Sequence, residues 1–246
     1  MIRTLQSLEE LRSCRQRLRE RRLDFTHPSR VRFWRFLYQL RYRRELPVAD
    51  IMKSWDVSNA MGLIENAVAD RGSPILDMGC FNSEILYVLH GLGYRRLHGC
   101  DVNPMCRWMP FWHSIRYRMA DLTRTAYPDR HFAAITCLSV IEHGVPLEGL
   151  VTEIFRLLRA GGLFVLTTDY DATGRRHVIS KDFQVFGLGW RIFTPNDLSR
   201  LIEQFRKVGF LLMDPESINA THSECPVTWN GQDYTFVMVA LKAPDE

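Results

Sequence analysis

Two rhythms divide the chain near residue 73. Before it, apolar residues recur at helical spacing among charges. Leu5, Leu8, Leu11 and Leu18 do so over 2–22, Val31, Trp34, Leu37 and Tyr38 over 29–46, and Met61, Ile64 and Val68 over about 58–70. Each set is the stripe of an amphipathic helix, and Pro28, Pro47 and "RGSP" close the three segments. From Pro74 onward, short unalternating apolar runs ("PILDMGC", "RLHGCDV", "FAAITCLSV", "LFVLTTDY") alternate with helical patterns such as "SEILYVLHGLGY" and "TPNDLSRLIEQFRKVGF". Strands that are apolar on both sides and separated by helices predict a parallel sheet covered on both faces. The last apolar run, "YTFVMVALKA", follows the turn-like "WNGQD" and is expected to return antiparallel. The organisation expected is a helical arm over 1–72 and an α/β three-layer sandwich over 73–246. Long connections fall near 171–193 and 215–232.

Charge changes this picture only in the arm. The net charge of +4 over 246 residues is modest, but residues 1–50 hold thirteen arginines, no lysine and six acids. Such a local excess either pairs with acids during helix packing or meets an anionic partner such as RNA, acidic lipid or protein. The packing reading puts Phe33, Trp34 and Leu37 on the core and leaves Trp55 and Met61 to cover a ligand. Six scattered cysteines without a CxxC pair read as reduced thiols of a cytoplasmic protein. No run approaches the length of a membrane span, and no metal-ligand spacing is evident.

The chemistry gathers at the ends of the predicted strands, where open α/β sheets bind ligands. The first strand runs into "ILDMGCFNSE", in which Gly79 removes a Cβ from the turn and Ser83 can cap the next helix. The second ends in "LHGCD", which places Asp101 about 24 residues after Asp77, well positioned to accept from ribose hydroxyls. The third ends in "MADL", where Asp121 could accept from an adenine amino group. A dinucleotide-binding dehydrogenase shares the second acid, but the G-x-G-x-x-G it requires is absent.

These motifs resemble those of the class I S-adenosylmethionine-dependent methyltransferases. "ILDMGCFNS" resembles the family's first motif, "LHGCDVNP" its acidic second, "HFAAITCLSVIEHG" its fourth-strand motif and "LLRAGGLFVLTTDY" its fifth-strand signature. The resemblance implies a Rossmann-like, seven-stranded, mostly parallel sheet with an antiparallel last strand, and S-adenosyl-L-methionine as cofactor. Its cofactor contacts would fall on Asp77, Gly79, Cys80, Phe81, Asp101, Asp121, Leu122 and Ser139. Phe81 and Ser83 depart from the family's glycines. Phe81 puts a side chain into a turn normally open beside the cofactor, and the Gly-Cys-x-x-Ser turn is similar to that of some glycan-related members.

Methyl transfer needs nucleophile, methyl and leaving sulfur held in line, and a base only where the nucleophile must lose a proton. His143, with Glu142, is the candidate base past the fourth strand, and both are equally suited to orienting the turn there. Asp169, Tyr170, Arg175 and Arg176 border the expected acceptor side, and His177 and Lys181 add charge suited to an anionic acceptor. His222, Cys225 and Trp229 lie in the second long connection, which is expected to close the same side. Three functions follow. The first is methylation of a small molecule, with a sugar or glycan precursor as the acceptor considered first. The second is RNA methylation using the arginine-rich arm, and the third is a non-catalytic partner subunit.

Overall fold

The computed structural model describes residues 1–25, 32–33, 36, 50–174, 180–185 and 188–245, with side chains omitted for 180–185 and 188. Within these, α1 (Leu8–Glu20) and α2 (Ser54–Ala67) precede the alternating core. That core runs β2 (Pro74–Met78), α3 (Ile85–Gly91), β3 (Arg96–Asp101), β4 (Ile115–Met119), β5 (Phe132–Leu138), α4 (Leu147–Leu157) and β6 (Leu158–Tyr170). The hairpin β7 (Ser180–Val185) and β8 (Leu188–Trp190) follows, then α5 (Pro195–Lys207), β9 (Leu211–Leu212), β10 (Val227–Trp229) and β11 (Gln232–Lys242). The short strand β1 (Ile2–Thr4) opens the chain.

Among the described residues the main sheet has nine strands, in the order β1-β11-β6-β5-β2-β3-β4, with β9 and β10 also pairing to β11. Strands β2 to β6 pair in parallel and β11 runs antiparallel to β6, as expected. The tight turn at Asn230 and Gly231, both with positive φ, joins β10 to β11 as a hairpin.

The count differs from the expected seven at the antiparallel edge. Residues 2–4 form a strand, where the leucine stripe predicted helix. Ile2 and Thr4 are buried, Arg3 points out, and the three pair with Val239, Met238 and Val237. Ser7 accepts from the Glu10 N–H and caps α1, which fixes the helix start at Leu8. The predicted third helix begins four residues earlier, because Asp50 caps a 3-10 turn over Ile51–Lys53 that runs directly into α2. The predicted second helix, 29–46, lies almost wholly outside the described residues.

Alternating sheet residues feed two cores. On one face Ile75, Leu97, Val165 and Met238 pack with α1, α2 and α3. On the other Leu76, Ile135, Leu166 and Val239 pack with α4 and α5. The N-terminal helices therefore share a core with the sheet. Arg15, only 2% exposed, extends that union. It donates to both Glu84 oxygens at 2.9 and 3.0 Å, to Asp24 at 3.0 Å, to Ser54 Oγ at 2.8 Å and to the Asp50 carbonyl at 3.2 Å.

Candidate functional site

A cleft of about 1070 Å³ opens where the parallel strands end, walled by residues from each βα turn and from α2, β10 and β11. That is near the upper end of the roughly 300–1,000 Å³ typical of small-molecule sites.

The turn after β2 is built from backbone. Gly79 has φ +84°, and a Cβ there would stand 2.2 Å from Val140 Cγ2, so the glycine serves both turn and packing. The Gly79 and Cys80 N–H groups donate to the Cys100 carbonyl, and Phe81 N–H donates to Asp101 Oδ2 at 2.9 Å. Asp101 Oδ1 takes the Asn103 N–H at 2.8 Å. The half-buried carboxylate lines the cleft and has about four acceptor sites, so beyond the backbone donors of Phe81, Val102 and Asn103 it can still receive a hydroxyl donor. Phe81 forms part of the wall while its ring leans on the core shared by α1 to α3.

Asp121 sits just past β4, exposed, with Oδ1 accepting from the Thr123 N–H and hydroxyl at 2.8 Å. Those two bonds hold its carboxyl below the usual range. Leu122 lies beside it in the wall. Asp77 and Cys80, expected at the cofactor, are instead behind the turn. Asp77 has no exposed surface, accepts from Thr136 Oγ1 at 2.7 Å and is pushed up to about 7 by burial. Cys80 is 1% exposed and would touch any Cβ placed on Gly99. The reason is local: Asp77 is held inside the sheet by Thr136 of the neighbouring β5, and Cys80 packs into the core shared by α1 to α3.

The far end of the cleft joins the expected Ser139, Glu142 and Asp169 to Lys53 and Asp56, which sequence reasoning missed. Ser139, at φ +53°, caps β5 and sits between Lys53 and Asp56. Its hydroxyl receives the Lys53 ammonium at 2.6 Å and donates to Asp56 Oδ2 at 3.0 Å. Lys53 Nζ also stands 4.2 Å from the Phe236 ring centre and 4.0 Å from Asp169 Oδ1. Asp169 Oδ2 accepts from Trp190 Nε1 at 2.7 Å, and Glu142 from Thr168 Oγ1 at 3.0 Å. Trp229 stacks edge-on against Trp190, 4.9 Å away, and reaches the cleft with Tyr234.

Burial governs the protonation of this cluster. It raises Asp56 to about 6, against the opposing pull of Lys53. Glu142 is driven well above the carboxylate range by burial and by Asp169, and Asp169 is raised by burial despite Lys53. Burial pulls Lys53 down, but Asp169, Asp56 and Glu142 outweigh it and hold the ammonium above its ordinary value. His143 lines the cleft beside Glu142, and burial with the Lys53 charge lowers it to about 4. It is therefore neutral at physiological pH and a weak proton acceptor.

Of the expected acceptor residues, Asp169 faces the cleft. Tyr170 does not: the next residue on a strand points to the other face, and its buried ring sends the hydroxyl to the Ala220 carbonyl. Arg175, Arg176 and His177 lie outside the described residues, as does the Lys181 side chain. Trp55 and Met61 are core residues, with the Trp55 indole donating to Glu10, so neither covers the cleft. Phe33 is 57% exposed, where core packing was expected. Trp34 and Leu37 lie outside the described residues. His222 accepts from the Ala172 N–H at 3.0 Å and so ties its loop to the end of β6. Lys53 and Asp56 did leave a signal, since their i, i+3 spacing at the start of α2 places them on one face. Nothing local in the sequence tied them to β5 and β6.

A parallel sheet with an antiparallel edge strand, and acids at successive strand ends around one cleft, defines a Rossmann-like cofactor-binding domain. Within that class the chain belongs to the methyltransferase-domain family, whose pattern matches residues 55–212. Its fold is that of the S-adenosylmethionine-dependent class I methyltransferases. Among relatives, a sterol 24-C-methyltransferase of Yarrowia lipolytica is 25% identical over 173 residues, covering 63% of this chain and 44% of that protein. The chain spans less than half the length of the curated relatives it matches. Among solved structures, the [4+2]-cyclase SpnF superposes with a TM-score of 0.57 at 17% identity, covering 82% of this chain and 86% of that one. Geranyl diphosphate C-methyltransferase from Streptomyces coelicolor A3(2), solved with Mg2+, geranyl diphosphate and S-adenosyl-L-homocysteine, gives 0.54 at 16%, covering 76% and 79%. At these identities the likeness is one of fold.

Proposed function

We propose that the protein transfers a methyl group from S-adenosyl-L-methionine to a small-molecule acceptor. The observation that carries this reading is the convergence of Asp101, Asp121 and Ser139, from three successive parallel-strand ends, on one cleft. Asp101 would receive a ribose hydroxyl, Asp121 and Leu122 would border the adenine, and the Gly79 turn with Ser139 and Val140 would flank the amino-acid end. The cofactor supplies an activated methyl group. The chain's own work is to hold the acceptor in line with it and exclude water. Glu142 and His143 orient that end of the cleft: a buried carboxyl raised well above its ordinary range and a neutral imidazole are positioning groups in the resting site.

A sugar or glycan precursor, expected from the Gly-Cys-x-x-Ser turn, has hydroxyls that Asp169 could accept. A phosphorylated one is disfavoured by the three carboxyl groups there. Four of the arm's described arginines support its packing role rather than RNA binding. Arg3 pairs with Glu10, Arg15 with Asp24 and Glu84, Arg19 with Asp24 and Arg21 with Glu65.

The test is calorimetric titration of the purified chain, stripped of co-purified ligand, with S-adenosylhomocysteine. Micromolar binding is expected. Asp101→Asn, which keeps one acceptor for the turn, should weaken it about tenfold or more, the equivalent of one hydrogen bond to a charged group. No binding by folded protein would refute the reading, and full affinity in the variant would refute the role of the β3 acid.

A further inference from the structure

The acceptor end of the cleft carries more negative than positive groups, and its buried oxygens are not all used. Asp56 and Asp169 are 0% and 3% exposed, both line the cleft, and the Oδ1 atom of each makes no hydrogen bond among the described residues. The Thr167 and Tyr234 hydroxyls stand close enough to influence these carboxyls without satisfying that geometry. A buried carboxylate oxygen without a hydrogen-bond donor is costly, and both of these lie just behind the cleft wall, with Lys53 as the nearest ammonium, 4.0 Å from Asp169 Oδ1, so the site suits a ligand that brings further donors to that wall. Glu142 makes a third carboxyl, against Lys53 as the ammonium in their midst. The surrounding wall is aromatic, from Trp229, Tyr234 and Phe236. Phe236 already holds one ammonium on its face, that of Lys53 at 4.2 Å, which is the geometry by which aromatic rings recognise cationic nitrogen.

We propose that this end of the cleft binds a cationic nitrogen carried on an apolar body, so that the acceptor is an amine that docks as its ammonium beside Asp56 and Asp169 and gives one proton to either carboxylate before its nitrogen can take the methyl group. The proposal rests on the methyltransferase reading and names its substrate class. An anionic acceptor would meet three carboxyl groups at close range. A neutral polyol could hydrogen-bond there but would add no positive charge to the single ammonium of Lys53 that two aspartates share. The Trp190 indole, donating to Asp169 Oδ2, fixes the carboxyl so that its other oxygen lies 4.0 Å from the Lys53 ammonium. The groups facing the ammonium are Lys53, Asp56, Glu142, His143, Asp169 and Tyr234, with Asp50 at the rim. Of these, the carboxyls gain charge as pH rises and the imidazole is already neutral.

Three probes of one shape test this: 2-phenylethylamine, 2-phenylethanol and 3-phenylpropionate, titrated into the full chain saturated with S-adenosylhomocysteine and followed by calorimetry. At about pH 8 the amine is expected to bind at least about tenfold more tightly than the alcohol, and the carboxylate most weakly. That preference should shrink as pH falls through about 6, where Asp56 takes up its proton. Asp169→Asn should remove most of the preference while leaving S-adenosylhomocysteine affinity intact. Should that variant fail to fold, the pH series on the unmodified chain decides. Equal binding of amine and alcohol, tighter binding of the carboxylate, or binding of none of them to a chain that holds S-adenosylhomocysteine overturns the proposal. Failure to hold S-adenosylhomocysteine would instead remove the methyltransferase reading itself.

Discussion

Arg15→Met tests whether the arm is part of the fold or an appendage. The substitution keeps the apolar stem and removes the guanidinium. Glu84, whose side chain is 2% exposed, then keeps the Phe25 N–H as its described partner, while Asp24 retains Arg19. The loss falls on Glu84. Removing one member of a buried pair costs about 3–5 kcal/mol, because the remaining charge stays desolvated and uncompensated. Taking about 3 kcal/mol, a domain of this size should lose roughly 6–12 °C in Tm. Ser54 Oγ loses the Arg15 donor and the Asp50 carbonyl keeps only the Lys53 N–H, so the 3-10 turn that presents Lys53 loosens with them. Thermal unfolding followed by circular dichroism measures the effect. Adding Glu84→Gln should recover a large part of the loss, because the unpaired charge is gone, and the double-mutant cycle isolates that coupling. A single-variant loss below about 1 kcal/mol, or strict additivity in the cycle, would refute the reasoning.

Asp77 gives a pH prediction of definite sign. Its folded-state value of about 7 lies above the unfolded 3.8, so the native state holds the proton more tightly and this group lowers stability as pH rises through that window. Asp77→Asn, which can still accept from Thr136, should flatten the decline between about pH 4 and 7 and unfold at higher denaturant than the parent at about pH 8. A parent-like urea midpoint at pH 8 would contradict the buried-carboxyl account. Gly79→Ala should destabilise by about 2–5 kcal/mol, from the left-handed backbone together with overpacking against Val140. Val140→Ala added to it should recover only the packing share, and a full rescue in chemical denaturation would show the backbone cost to be negligible.

The order of strands and helices, the antiparallel return and the turn chemistry were legible in the chain because each depends on neighbours in sequence. Apolar runs too uniform to alternate require cover on both faces, and the observed cores have it. The Asp101 and Asp121 positions were legible for the same reason, since a residue at a strand's end is fixed by where the strand stops. Only folding decided which residues beyond the strand ends look into the cleft. Strand alternation turned Asp169 inward and Tyr170 away, while the bond from Thr136 and core packing kept Asp77 and Cys80 in the interior. The first residues became an edge strand because β11 offered an unpaired edge, a demand that a leucine stripe does not record. The acceptor end shows the limit most plainly. Lys53 and Asp56 meet Ser139 and Asp169 across gaps of 83 to 116 positions, and Phe236 reaches Lys53 from further still. Local pattern fixed the scaffold. Long-range packing assembled the group of charges that the chemistry would use, since their energies depend on burial and distance and neither exists until the chain has closed.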